Sequence, residues 1–191
     1  MSKKKRQHKI INVVDVESTC WERGQGGGQV SEIIEIGICC LHLDDFEITD
    51  KKSILVKPIK STVSKFCTEL TTLTPKMITG SGISMLKAID ILKQEYFTKN
   101  RMWASWGDYD RKMFEGTQKI YPFKDSLYPF GPRHLNVKSL FALLCNNGQE
   151  CGMLGGLKHF DIPLKGTHHR GHDDAENIAK VLAKVLETCK L

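Results

Sequence analysis

"KIINVVDVEST", residues 9–19, runs through Ile10, Ile11, Val13, Val14 and Val16 and then meets two acids. β-Branched apolar residues at this density read as a buried strand. A strand sends successive side chains to opposite sides, so Asp15 and Glu17 leave on one face and Val16 on the other. Two carboxylates at the end of an apolar strand repel each other and are costly to desolvate. A divalent cation compensates both effects, and hard oxygen donors with no cysteine among them favour Mg²⁺ or Mn²⁺ over zinc. Taken alone, D-x-E is a common pattern, and two solvated carboxylates at a strand end is the competing reading.

Outward from that strand, "WERGQGGGQVS" is a glycine-rich loop, expected to be flexible and to lie near an active site. It is not a dinucleotide fingerprint, because the third glycine position after Gly24 and Gly26 is occupied by Gln29. "EIIEIGICCLHL" and "FEITDKKSILVKP" read as two further strands, and the short "DDF" between them implies an antiparallel hairpin. Apolar residues at 85, 86, 89, 92 and 96 give an amphipathic helix over 83–97. "RMWASW" reads as a strand, "DYDRKMFEGTQKI" as a helix and the proline-bearing "YPFKDSLYPFGPRH" as a loop. "LNVKSLFALLC" is a brief strand entering a helix, and a final helix from about Asp173 presents Ile178, Val181, Leu182, Val185 and Leu186 on one face. This order specifies an α/β domain with a mixed sheet, with no internal repeat and no linker. The expected organisation is a basic, disordered tail over residues 1–9 and a single domain over 10–191.

The chain has 191 residues, 40% of them hydrophobic and 26% charged, which fits one soluble globular domain. A net charge of +6 is compatible with a polyanionic partner without being diagnostic. Part of it lies in "MSKKKRQHK", which lacks the apolar segment of a secretory signal. No stretch has the length and apolarity of a membrane span. Seven cysteines form no CxxC pair, which argues for reduced thiols and a cytoplasmic setting over a disulfide framework.

Two downstream stretches supply more acids. In "WASWGDYDRKMF" a strand ends in a turn carrying Asp108 and Asp110. Asp108 suits a helix N-cap, whereas Asp110 is anchored inward by Met113 and Phe114 and is the better ligand. In "THHRGHDDAEN" three histidines and two aspartates occupy positions 168–174. The helix start favours negative charge at Asp173 or Asp174. Zinc is disfavoured there, because HExxH needs glutamate where His169 stands and Gly171 discourages a helix across the motif. His168 and His172 read as surface or supporting residues, and Asp173 as serving the helix start.

The order D-x-E, aromatic-Asp, H-x4-D resembles the DEDD exonuclease superfamily in its histidine-containing, DnaQ-like branch. The motifs read "DVEST", "DYD" and "HRGHD", and the resemblance runs from about Lys9 to Cys189. "DVESTCWE", "SEIIEIG", "FCTELTTLT", "SWGDYD", "HLNVKSLF" and "HHRGHDDAENIAKV" are similar to the Eri-like and KapD-like exonucleases. The "HRxxDDA" texture selects His169 with Asp174 over His168 with Asp173. The resemblance implies an RNase H-like fold, a mixed five-stranded sheet flanked by helices, and metal-dependent 3′→5′ hydrolysis of single-stranded RNA or DNA with release of nucleoside 5′-monophosphates. RNA is favoured; a DNA exonuclease of proofreading or repair type, or a catalytically silent nucleic-acid-binding module, are the alternatives. It implies two cations, Mg²⁺ or Mn²⁺, with Asp15 bridging both, Glu17 and Asp174 completing one site and Asp110 supporting the second. Such a pair stabilises both the attacking and the leaving oxygen. His169 is implied as general base. Thr19, Phe66, Leu70 and Tyr109 are implied around the terminal nucleotide. A glycine is usual where this chain has Thr72, which puts that loop's shape in question.

Overall fold

The computed structural model describes residues 9–23, 25–121 and 128–189. The N-terminal tail up to residue 8, Gly24 of the glycine loop and residues 122–127 of the proline-bearing loop lie outside them. Five strands are present, β1 (Ile10–Ser18), β2 (Ile33–His42), β3 (Ile48–Leu55), β4 (Met102–Ser105) and β5 (His134–Asn136). The helices among the described residues are α1 (Lys65–Thr71), α2 (Pro75–Ser81), α3 (Met85–Glu95), α4 (Tyr109–Ile120), α5 (Val137–Cys145), α6 (Met153–His159) and α7 (Gly171–Thr188).

The strands form one mixed sheet in the order β3-β2-β1-β4-β5. The β1–β2 and β2–β3 pairs are antiparallel, so the expected hairpin is present, and β4 and β5 add in parallel. Alternation along β1 assigns its residues to two cores. Val14 and Val16 pack with Ile89 and Leu92 of α3, Trp103 of β4 and Phe114 of α4. Ile11 and Val13 pack on the other face with Phe141 of α5 and Ile178, Val181, Leu182 and Val185 of α7. The two-residue period therefore carries Asp15 and Glu17 onto the face that α7 covers. β1 and β2 are buried on both faces and read as near-continuous apolar runs, whereas the edge strand β3 is largely polar and only partly buried.

Helices α1 and α2 were not visible in the apolar pattern. Each has seven residues and buries few side chains, but each starts at a capped position. Ser64 accepts from the Cys67 amide, and Thr74 accepts from the Met77 amide ahead of Pro75 at the first turn. Thr72 ends α1 in the left-handed region, with φ 63°. The loop therefore keeps a conformation that glycine adopts freely, with a β-branched residue in its place. No helix among the described residues is long and apolar enough to cross a membrane.

Candidate active site

The ladder between β1 and β4 runs only from Ile11 to Val13, so the two strands part toward their C-terminal ends. A β-bulge between Glu17 and Ser18 sharpens the divergence on the β2 side. The opened end forms a cleft of about 390 Å³ lined by Asp15, Glu17, Asp110, His168, His169 and Asp174. The Val16 amide, free of the β4 ladder, donates to Asp110 Oδ1 at 2.9 Å. That bond ties the first turn of α4 to the D-x-E strand. Carboxylate oxygens of Asp15, Glu17 and Asp174 lie within 4.8 Å of one another. Four acids separated by up to 159 positions in sequence thus converge, because two ride on β1 and two start the helices packed on its end.

Their electrostatics follow from that crowding. Burial, followed by repulsion from Asp110, Glu17, Asp174 and Glu35, holds the Asp15 carboxyl well above the usual carboxylate range. Burial and the charges of Asp174, Glu35 and Asp110 push Glu17 up to about 8, against a smaller opposing pull from Arg170. Asp110 is raised to about 6 by burial, in spite of hydrogen bonds from the amides of Val16 and Asp110 and from Ser105. Asp108 occupies the N-cap position of α4 but makes no capping hydrogen bond. Its carboxylate instead meets Arg111 Nη2 at 3.0 Å. The expected cap is therefore a local ion pair.

The histidine-rich stretch arches over the cleft. His169 takes a left-handed backbone, φ 64°, and this turn brings its amide to Asp174 Oδ2 at 2.8 Å. Burial, then the neighbouring His168 ring stacked at 3.9 Å, lowers the His169 pKa against the pull of Asp174. Of the two roles open to it, surface or support, His168 takes the supporting one, its Nδ1 lying 3.0 Å from Asp174 Oδ2. His172 meets Glu35 instead, at 3.1 Å. Asp173 turns from the cleft, accepting from the Thr167 amide at 2.8 Å and from Lys51 at 2.6 Å. Helix α7 starts at Gly171, two residues before the expected Asp173. There a backbone without Cβ is needed, because a Cβ at Gly171 would lie 2.9 Å from the Asp15 carbonyl oxygen.

A protein-family model described as "Exonuclease" (RNase_T) matches residues 13–182. The chain belongs to this exonuclease family. The chain is 25% identical to the ERI1 exoribonuclease 2 of Xenopus laevis, over 91% of its own length and 28% of that protein's. To the 3'-5' exonuclease eri1 of Schizosaccharomyces pombe it is 27% identical, over 93% of its own length and 68% of that protein's. The human 3'-5' exoribonuclease 1 is 28% identical over 95% of this chain and 54% of its own. The chain thus spans between about a quarter and two thirds of these curated relatives. Among solved structures, the nuclease domain of 3'hExo, a DEDDh family member, bound to rAMP, superposes with a TM-score of 0.81. That match covers 95% of this chain and 93% of the other at 24% identity. The fold is RNase H-like, as the resemblance implied.

Around this exonuclease-family cleft, the expected substrate contacts separate. Tyr109 and Leu70 line it, and the Tyr109 hydroxyl shares a 2.6 Å hydrogen bond with Ser18. Thr19 does not reach it. Its side chain is fully buried, bonded to Ser61 Oγ at 2.9 Å and to the Glu32 amide at 2.9 Å. Phe66 is 36% exposed, so it is not a core residue, but it lines a second hollow with Trp21 and Glu22. Cys20, Trp106 and Met153 also line the cleft and were not anticipated. The Cys20 thiol is pushed up to about 12 by burial and by Cys67, so it is no thiolate ligand. Trp106 could have been suspected as the aromatic closing the "WASW" strand; Met153 carried no signal.

Proposed function

We propose that this chain is a divalent-metal-dependent 3′→5′ exonuclease that hydrolyses single-stranded nucleic acid, RNA in preference to DNA, and releases nucleoside 5′-monophosphates. One observation carries the reading: four carboxylates crowd one cleft, and burial, with mutual repulsion at Asp15 and Glu17, pushes three of them toward protonation. An all-oxygen donor set of this kind fits Mg²⁺ or Mn²⁺. Asp15, Glu17 and Asp174 would hold one ion, with Asp15 shared and Asp110 supporting the second. Bound there, such cations would supply charge neutralisation at the scissile phosphate and acidify the attacking water.

The remaining work belongs to the chain's own side chains. His169 removes the proton from the attacking water, and its lowered pKa keeps the imidazole neutral and able to accept at pH 7. The hydrogen bond from the His169 amide to Asp174 Oδ2 holds the base's backbone beside the carboxylate cluster. Tyr109, 54% exposed and tethered by Ser18, offers a flat face on which a terminal base can stack without being read. Leu70 borders the cleft with it. The names of the relatives, exoribonucleases and 3'-5' exonucleases, support the direction of attack and the preference for RNA. A cytoplasmic location is part of the same proposal and rests on seven cysteines, none of them bridged.

The test is incubation of 3′-labelled single-stranded RNA and DNA oligomers with Mg²⁺ or Mn²⁺, with EDTA as control. Metal-dependent release of labelled mononucleotide, faster from RNA, is expected. Release from DNA alone would transfer the assignment to a DNA exonuclease, and release from neither would leave a binding module.

A further inference from the structure

We infer that Glu35 is a positioning residue of this site, whose buried carboxylate clamps residues 170–172 onto the sheet and so fixes His169 and Asp174 against Asp15 and Glu17. Glu35 lies on β2 directly opposite Glu17, and its side chain is fully buried. Its Oε2 accepts from Arg170 Nε at 3.2 Å and from the Gly171 amide at 3.0 Å. Its Oε1 meets Arg170 Nη2 at 3.2 Å and His172 Nδ1 at 3.1 Å, and Ser53 on β3 donates to the same oxygen. Apart from Ser53, every one of these partners comes from three consecutive residues between His169 and Asp174.

A second observation is independent of the charge. Two residues along β2, Gly37 faces Gly171 so closely that a Cβ on Gly37 would lie 1.8 Å from the Gly171 carbonyl carbon. The loop is therefore seated on bare backbone at one point and anchored by a saturated carboxylate at the next. Burial alone would raise the Glu35 pKa, yet hydrogen bonds from Arg170 and Ser53, the Arg170 charge and the Gly171 amide bring it below its ordinary value. The carboxylate thus stays ionised where it is most useful as an acceptor.

The location is electrostatically awkward for a purely structural group. Glu35 raises the pKa of both Asp15 and Glu17, and Arg170 lowers that of Glu17. A neutral residue would avoid that repulsion but could not saturate four donors from the loop. Two further tethers lie nearer the surface, Lys51 to Asp173, with the lysine side chain 30% exposed, and Arg170 to Thr72 at 3.4 Å, and both are the weaker hold.

Glu35→Gln keeps the shape but turns an NH₂ toward donors. With the site assigned as above, kcat should fall by about 10- to 100-fold with KM changed less than about threefold. Amide hydrogen exchange should quicken at 168–174 while β1 and β2 stay protected. Unchanged kcat and exchange would overturn the clamp, and so would faster exchange spread evenly over the sheet. Should Glu35→Gln not fold, Arg170→Gln removes one partner and leaves the others. The same localised exchange supports the clamp, and wild-type exchange refutes it. If the wild-type chain shows no exonuclease activity, the function proposed above fails, and the exchange measurement still decides the clamp.

Discussion

Gly37→Ala is the sharpest structural perturbation available, because it adds one methyl group where the loop carrying His169 rests on the sheet. The new Cβ would lie 1.8 Å from Gly171 C, 2.0 Å from Gly171 O and 2.2 Å from His172 N. All three are backbone atoms, so no side-chain rotation relieves the overlap. Ordinary contact begins at 3.4 Å, so the loop must withdraw by roughly 1.6 Å, a misplacement of the size that costs about 100-fold in rate. Overpacking of this kind destabilises by about 1–3 kcal/mol. Denaturant midpoints and kcat on a 3′-labelled oligomer read the two effects separately. Gly80→Ala is the control, since a Cβ there meets nothing within 4 Å. A Gly37→Ala protein with wild-type kcat and midpoint would refute the close seating of the loop.

Other perturbations address the chemistry. Asp110→Asn should cost about 100-fold or more in kcat, whereas Asp108→Asn, weakening a half-exposed pair with Arg111 and a long contact to His134, should cost about 1 kcal/mol of stability and little activity; equal losses in both would refute the choice between them. His169→Ala should lower kcat by about 10²- to 10⁴-fold, and His168→Ala, which removes a ring that meets Asp174 and stacks on His169, by about 10-fold; the reverse ranking would overturn the register. In EDTA, stability should depend on pH through Glu17 and Asp110. Both bind protons more tightly when folded, so their contribution is complete below the unfolded values of 4.5 and 3.8 and is lost as pH rises through about 8 and about 6. Glu35, Asp173 and Glu176, held low by their partners, act in the opposite sense in acid, so the effect is read against Glu17→Gln: from pH 5 to 8 the wild-type midpoint should lose ground to the variant's, and Mn²⁺ should restore the wild type chiefly at the alkaline end. A gap between the two that does not change with pH contradicts the crowding.

The strand that opens the chain was legible because burial on both faces leaves a dense apolar run, and because a period of two fixes which acids share a side. Helix α7 was legible from its long apolar stripe. The seven-residue α1 and α2 were not, since two turns carry too little periodicity; Ser64 and the Thr74-Pro75 pair were the available signals. Glu35 looked like an ordinary polar position in "EIIEIG", and only the packing of residues 170–172 over β2 adds four donors to the one from Ser53. Thr19 and Phe66 were assigned from resemblance. In the fold the Thr19 hydroxyl is committed to Ser61 and the Glu32 amide, and Phe66 faces the hollow beside Trp21.

We propose that the carboxylates of Asp15, Glu17, Asp110 and Asp174 together hold two divalent cations. Calorimetric titration of the metal-free protein with Mn²⁺, with Asp15→Asn alongside, decides it. Two ions should bind per chain, and Asp15→Asn, which removes the shared ligand, should abolish or severely weaken both. No binding by the wild-type chain at millimolar Mn²⁺, or equal binding by the variant, would contradict it.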